Sequence, residues 1–176
     1  MSLPIAQRVL RDGTWSGTAE RVTLDYEARF LRRKRLLTDT GRDFIVDLEK
    51  ATSLDDGDAL QLDDGSKVVV RAAEEPVLVV TGAALARFAW HIGNRHTPCE
   101  VEADRLIIQR DPVIRHMLGQ IGAHVVEAIL PFTPEGGAYG HGRTHSHDHG
   151  ASAHSLDHEH AAKPGVLHPE DPSHAH

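Results

Sequence analysis

The chain has 176 residues, with 26 acidic and 19 basic side chains, 14 histidines and one cysteine. Its formal charge of −7 argues against a nucleic-acid partner, because contact with a phosphate backbone needs clustered Lys and Arg. The single cysteine, Cys99, excludes an internal disulfide and a four-cysteine zinc site. No apolar run is long enough to span a membrane, and the N-terminus has no secretory signal. We therefore expect a soluble, cytoplasmic protein with no membrane partner.

Residues 1–73 are predicted to form a small β-rich domain. Three runs have the composition or alternation of strands, at 21–28, 44–48 and 67–70. Turns are expected at four glycines that follow Asp or Thr and can adopt the positive φ of a tight turn: Gly13, Gly41, Gly57 and Gly65. The basic run 32–35 is interpreted as a solvated strand or turn, with a binding patch as the alternative.

The aspartates near residue 56 have two interpretations. The run 55–58 is dense in carboxylates, which are the ligands that calcium prefers. However, the spacing of a helix–loop–helix calcium site is absent and no helical pattern flanks the run. The sequence favours two hairpin turns at this place.

Residues 76–133 are predicted to form a ferredoxin-like βαββαβ domain, after a boundary at 71–76 where the alternation stops and Pro76 resets the chain. Continuous or alternating apolar runs predict its strands, at 77–80, 100–103, 105–109 and 125–130. An apolar stripe predicts its first helix: Leu85, Phe88, Ala89 and Ile92. A second stripe predicts the other helix, between a cap at Asp111 and a stop at Gly122: Ile114, Met117, Leu118 and Ile121. Both helices would cover one face of the sheet. The other face, or the helix edges, would then need a partner, which favours a dimer.

The segment between the first helix and the next strand carries the main candidate ligand. The helix is expected to end at Gly93-Asn94, which leaves His96 in a short loop before Pro98 forces an extended chain. A histidine held on a rigid corner can bind a metal. A capping or interface histidine is the alternative.

The neighbouring candidates are weaker. Cys99 is interpreted as a small core residue, with a thiolate ligand as the alternative. Among the other histidines we expect His91 to be exposed, His116 to lie beside the second apolar stripe, and His124 to be a partly buried structural residue.

Residues 134–176 are predicted to be a flexible His-rich tail, disordered without metal, because Gly, Ala, Ser, Pro and His cannot bury enough apolar surface. The tail holds ten of the 14 histidines. Seven of them are predicted metal ligands: His141, His145, His147, His149, His154, His158 and His160. Imidazole suits Ni, Zn and Cu, and metal capture requires that it be deprotonated. A cloning tag would be an unbroken run, and a solubilising tail would not need ten histidines.

No catalytic motif is present. Residues 145–149 approach the H-x-H-x-D-H signature of binuclear zinc hydrolases, but one residue is missing between His147 and Asp148, and the flanks are Gly, Ala and Ser. There is no H-E-x-x-H, G-x-S-x-G or phosphate-binding loop. We expect that the protein is not an enzyme.

Two segments of the second domain resemble the UreE family of urease accessory proteins, which are nickel metallochaperones. They are Trp90-His91-Ile92-Gly93-Asn94-Arg95-His96-Thr97-Pro98 and Glu102-Ala103-Asp104-Arg105-Leu106-Ile107. The β-rich first domain and the His-rich tail agree with the layout of this family. Some members carry extra histidines just before the second helix, whereas residues 109–112 here contain none.

The resemblance implies a homodimer in which His96 of each subunit shares one Ni(II) on the two-fold axis, with tail histidines completing or feeding the site. It also implies that the first domain resembles a chaperone peptide-binding domain. Nickel would reach the urease apoprotein complex through the urease accessory GTPase. The rival function is general metal storage or detoxification by the tail alone, and a zinc enzyme is a third. Ligand chemistry does not exclude Zn(II) or Cu(II) at the same sites.

Overall fold

The computed structural model describes residues 2–136. In this range the chain forms ten strands and two helices, arranged in two sheets. The predicted α+β class is therefore confirmed. The predicted tail lies outside the described residues from 137 onward. No helix within residues 2–136 has the length and apolar character needed to cross a membrane.

The first half of the chain forms a six-stranded mixed sheet. Its strands are β1 (Ile5–Leu10), β2 (Glu20–Leu24), β3 (Phe30–Leu37), β4 (Asp43–Ser53), β5 (Ala59–Leu62) and β6 (Lys67–Ala72). The order across the sheet is β2-β6-β5-β1-β4-β3. Two of the pairings, β1 with β4 and β2 with β6, are parallel. The strands surround an apolar core that includes Phe44, Leu54 and Leu60, all fully buried.

Two predictions for this half, the strand at 21–28 and the hairpin at Gly57, need correction, and two others agree with the structure. The strand predicted at 21–28 ends at Leu24, because Asp25 starts a turn in which its carboxylate accepts the amide of Ala28. The basic run 32–35 lies in the edge strand β3, as the strand interpretation predicted. Gly65 forms the hairpin turn between β5 and β6. Gly57 does not form a hairpin, since β4 and β5, which it separates, are not paired with each other.

The aspartates near residue 56 serve the fold. Asp58 is 1% exposed and accepts hydrogen bonds from Arg11 Nη1 at 2.6 Å and from the backbone amides of Asp12 and Asp55. Asp56 accepts from the amide of Ala72 and pairs with Arg71. These carboxylates therefore hold the loop between β4 and β5 against neighbouring strands.

The second half has the predicted βαββαβ order. Its elements are β7 (Glu74–Thr81), α1 (Leu85–Gly93), β8 (Cys99–Val101), β9 (Leu106–Gln109), α2 (Pro112–Gln120) and β10 (His124–Pro131). The four strands are antiparallel neighbours in the order β10-β7-β9-β8. The predicted start of this domain at Pro76 lies inside β7, because that strand already begins at Glu74.

Both helices bury the predicted stripes. Phe88 and Ile92 of α1 and Ile114 and Leu118 of α2 are buried against the sheet residues that face them. Asp111 caps α2 by accepting the amides of Val113 and Ile114.

The opposite face of this sheet is not open across its whole width. Val77 and Ile107 on this face are buried by Tyr26 from the first half and by Phe132, which follows β10. This part of the sheet therefore needs no second copy of the chain to cover it.

Candidate metal site

The corner after α1 holds His96 in an uncommon backbone conformation. His96 has φ +55°, and it is the one residue other than glycine with a positive φ among residues 2–136. Its amide donates to the carbonyl of Gly93 at 2.9 Å, and the amide of Thr97 donates to that of Ile92 at 3.5 Å. These two bonds form a Schellman motif, whose left-handed position is usually glycine. A histidine therefore occupies a place where the backbone favours glycine.

The side chain of His96 is exposed, and so are its neighbours Asn94 and Arg95. The corner is fixed from both sides, because α1 packs on the sheet through Ile92 and β8 pairs with β9 from Cys99 onward. Within residues 2–136 no group of three or more His, Cys, Asp or Glu side chains is placed to hold a metal ion. The described part of one chain thus presents an accessible imidazole without completing a site around it.

Two large apolar side chains on the elements that flank this corner, α1 and β8, are exposed. Trp90, one turn before the end of α1, is 63% exposed, and Val101 at the end of β8 is 49% exposed. The Trp90 ring stands edge-on to the imidazole of His91, with 4.9 Å between the ring centroids. Large exposed apolar side chains of this kind mark association surfaces when they lie close together.

The other described histidines are not brought to His96 as a cluster. His91 is half-buried, whereas the sequence led us to expect an exposed residue. His116 is exposed on α2, 3.0 Å from the side-chain amide of Gln120. The prediction that His124 is partly buried is wrong, because the face of β10 that it shares with Val126 is exposed at this end of the strand.

Cys99 is half-buried beside the apolar core that lies between the two helices and the sheet of the second half. Burial, with the nearby carboxylates of Glu100 and Glu135, raises the pKa of its thiol to about 11. A thiolate is the form that binds metals, so this environment favours the core role over the ligand role.

The seven candidate ligands of the tail lie outside the described residues: His141, His145, His147, His149, His154, His158 and His160. Their part in a site stays a prediction. Two features near His96 escaped the sequence argument. The left-handed conformation of His96 had no signal beyond the helix stop at Gly93-Asn94. The bond between the amide of Thr133 and Glu100 Oε2, at 2.8 Å, joins residues 33 positions apart.

Comparison with known proteins gives consistent matches along the chain. Residues 4–73 match the model of the N-terminal domain of the UreE urease accessory protein, and residues 75–161 match that of its C-terminal domain. The urease accessory protein UreE of Ruegeria pomeroyi is 59% identical over 149 residues, which cover 85% of this chain and 100% of the relative. The UreE of Paracoccus denitrificans is 61% identical over 142 residues, covering 81% of this chain and 90% of the relative.

These relatives are named for an accessory role toward urease rather than for a catalytic activity of their own. The two domain models match consecutive parts of the sequence, and the matched part includes the His96 corner. The chain therefore belongs to the UreE family of urease accessory proteins.

Proposed function

We propose that this protein captures Ni(II) at His96 and delivers it for assembly of the urease active site. The single observation that supports this most is the exposed imidazole of His96 at a backbone position that favours glycine. Residues that are held in sparsely populated backbone conformations cluster at functional sites. The urease accessory role of the family makes nickel the cargo that fits this site.

We propose that the metal ion can be delivered because the folded part of the protein coordinates it incompletely. One rigid imidazole per chain supplies too few ligands to retain a metal, so capture needs His96 of a second copy, with histidines of the tail completing or feeding the site. Seven tail residues are proposed to take part: His141, His145, His147, His149, His154, His158 and His160. Such ligands can be exchanged one at a time as an acceptor supplies its own. The ion then never has to be released free.

A homodimer through the second half of the chain is part of this proposal. Exposed Trp90 and Val101 belong to α1 and β8, the two elements that flank the corner, and we propose that they are covered when two copies bring their His96 residues together. We further propose that residues 1–73, 76–133 and 134–176 act as separate units for partner binding, metal binding and metal supply. The urease accessory GTPase and the urease apoprotein complex are the proposed partners.

Calorimetric titration with Ni(II), with the mass of the protein measured in parallel, tests this function. The samples are the wild type, His96→Ala, and a chain ending at Gly140, with His116→Ala as the matched control because His116 is an exposed histidine of the same half. We expect one tight site per dimer, lost in His96→Ala and retained in His116→Ala. Truncation should remove the weaker sites.

The rival function makes a different prediction for the same titration. If the tail alone stores metal, His96→Ala binds nickel as tightly as the wild type and truncation removes all binding. That result would contradict the proposed function and support storage or detoxification.

A further inference from the structure

We infer that residues 132–135, here called the exit strap, carry the start of the His-rich tail across the sheet to the His96 corner, with Glu100 as the positioning residue. This inference rests on the proposed function, because it concerns how tail ligands reach His96. It follows from the path of the chain after β10.

The order of the strands creates the need for such a crossing. β10, from which the chain leaves the sheet, lies at one edge, and β8, which follows the His96 corner, lies at the other. Three strand spacings separate them, or about 14 Å. The four steps from Pro131 to Glu135 span about 14 Å when extended, so the strap is just long enough to make the crossing.

Phe132 anchors the first part of the strap. Its side chain is 0% exposed and packs with Val77 of β7 and Ile107 of β9, on the face away from the helices. Tyr26 packs edge-on to its ring at 5.3 Å between centroids. The guanidinium of Arg29, itself buried, donates to the Phe132 carbonyl. The strap thus passes over the two central strands under cover of the first half of the chain.

Two backbone donors anchor the second part at β8. The amide of Thr133 donates to Glu100 Oε2 at 2.8 Å, and the amide of Glu135 donates to the carbonyl of Cys99 at 2.9 Å. Cys99 follows His96 by three residues, which limits the distance between their Cα atoms to about 11 Å. The tail therefore starts beside the corner instead of at the far edge of the sheet.

The consequence is a high local concentration of tail imidazoles at His96. His141, the first tail histidine, follows Glu135 by six residues and can extend about 20 Å, which is enough to reach the corner. The effective concentration of a tethered ligand falls roughly as the −3/2 power of tether length. If the strap detaches beyond Phe132, the tether to His141 grows from six residues to nine, and its effective concentration falls about twofold from length alone.

Amide hydrogen exchange on the metal-free full chain tests whether the strap is anchored. We expect the amides of Thr133 and Glu135 to exchange slowly in the wild type. In Glu100→Ala the Thr133 amide should exchange at least about tenfold faster, whereas Glu100→Gln, which keeps an acceptor oxygen, should retain most of the protection. Unprotected amides in the wild type would overturn the inference and leave the proposed function intact.

Nickel competition against a chelator then tests positioning in the same variants. We expect Glu100→Ala to release the Glu135 bond together with the Thr133 bond, because the two anchors are only two residues apart. The variant should then weaken the tight site about twofold in the full chain and have no effect in the chain ending at Gly140. Glu102→Ala is the matched control, because Glu102 carries the same charge two residues further along, directly after β8, but pairs with Arg105. Its nickel affinity should equal that of the wild type.

Three outcomes would count against positioning by Glu100. If Glu100→Gln loses as much affinity as Glu100→Ala, the carboxylate acts as a direct ligand. If Glu100→Ala weakens binding equally in the truncated chain, the effect does not involve the tail. If Glu100→Ala changes nothing while His96→Ala abolishes the tight site, the proposed function stands and the strap does not position the tail.

Discussion

Arg42 of the first half and His96 of the second half are polar side chains in contrasting surroundings. In the first sheet, Arg42 donates to Glu20 and to Asp64, so that one guanidinium joins two carboxylates. The hydrogen bond from Arg42 is the largest reason why the pKa of Glu20 lies below its ordinary value. In the second half, His96 projects from a fixed corner into solvent. The comparison indicates that these polar groups of the first half stabilise the fold, whereas the side chain of His96 lies exposed at its corner.

The edge strand β3 extends this comparison. Arg33 and Arg35, the basic residues that could have formed a binding patch, each make a bidentate pair with a carboxylate of β4, Asp47 and Asp43 respectively. Each pair lowers the pKa of its aspartate. These charges are directed at the neighbouring strand, in agreement with the strand interpretation.

The largest predicted effects are those of two core substitutions, one in each half, which should lower stability alike but differ in their effect on nickel binding. Phe44 and Phe88 are both buried, Phe44 in the first core and Phe88 beneath α1. We expect Phe44→Ala and Phe88→Ala each to lower the free energy of unfolding by about 3–5 kcal/mol, measured by urea denaturation. Phe88→Ala should also weaken nickel binding at His96, because α1 supports the corner, whereas Phe44→Ala should not. Equal losses of nickel affinity would contradict the division of roles.

Asp58 gives the next largest effect and tests the calcium interpretation. In Asp58→Ala the guanidinium of Arg11 and two backbone amides lose their acceptor. We expect the free energy of unfolding to fall by about 2–3 kcal/mol, because the two amides are left without an acceptor, whereas Arg11 keeps its bond to the carbonyl of Ser53. Asp63→Ala, nearby but at an exposed hydrogen bond, is the control and should cost less. Addition of Ca²⁺ should leave the wild type unchanged, and a rise in its melting temperature would support a calcium site instead.

The thiol of Cys99 should react slowly. Because its pKa is raised to about 11, the thiolate fraction at pH 8 should be roughly a hundredfold below that of an ordinary cysteine. The rate of alkylation by iodoacetamide should still be rising steeply between pH 9 and pH 10, whereas the urea-unfolded chain should approach a plateau there. A plateau near pH 9 in the folded protein would contradict the buried environment and reopen the ligand role.

The smallest predicted effect is a gain in stability when His96 is replaced by glycine. Glycine accepts the positive φ of His96 without the steric cost that a side chain pays there. We expect His96→Gly to raise the free energy of unfolding by about 0.5–1 kcal/mol, measured by thermal denaturation. The control is Asn94→Gly, at φ −65°, which should bring no such gain. A lower melting temperature in His96→Gly would show that the corner does not favour glycine.

The parts of the fold that depend on local pattern could be predicted from the sequence. The apolar stripes around Phe88 and Leu118 predicted both helices, and the turn at Gly65 predicted the β5–β6 hairpin. These elements depend on interactions between residues that are close in the sequence. β1 was not predicted, since it lacks alternation and is held by one parallel and one antiparallel neighbour. The burial of His124 was predicted wrongly, because alternation does not tell which end of a face is covered.

The candidate site could be predicted in part for the same reason. The helix stop at Gly93-Asn94 located the corner, and the spacing to Pro98 placed His96 in its loop. The exit strap could not be predicted, because the contacts of Thr133 with Glu100 and of Phe132 with Tyr26 join distant parts of the chain.

Nickel titration of His96→Gly shows whether the imidazole of His96 holds the metal, because this variant removes the imidazole while favouring the fold. We expect that the tightest nickel site of the full-length protein disappears although the melting temperature does not fall. Tight binding equal to that of the wild type would show that His96 is a structural residue of the corner and that nickel is held elsewhere.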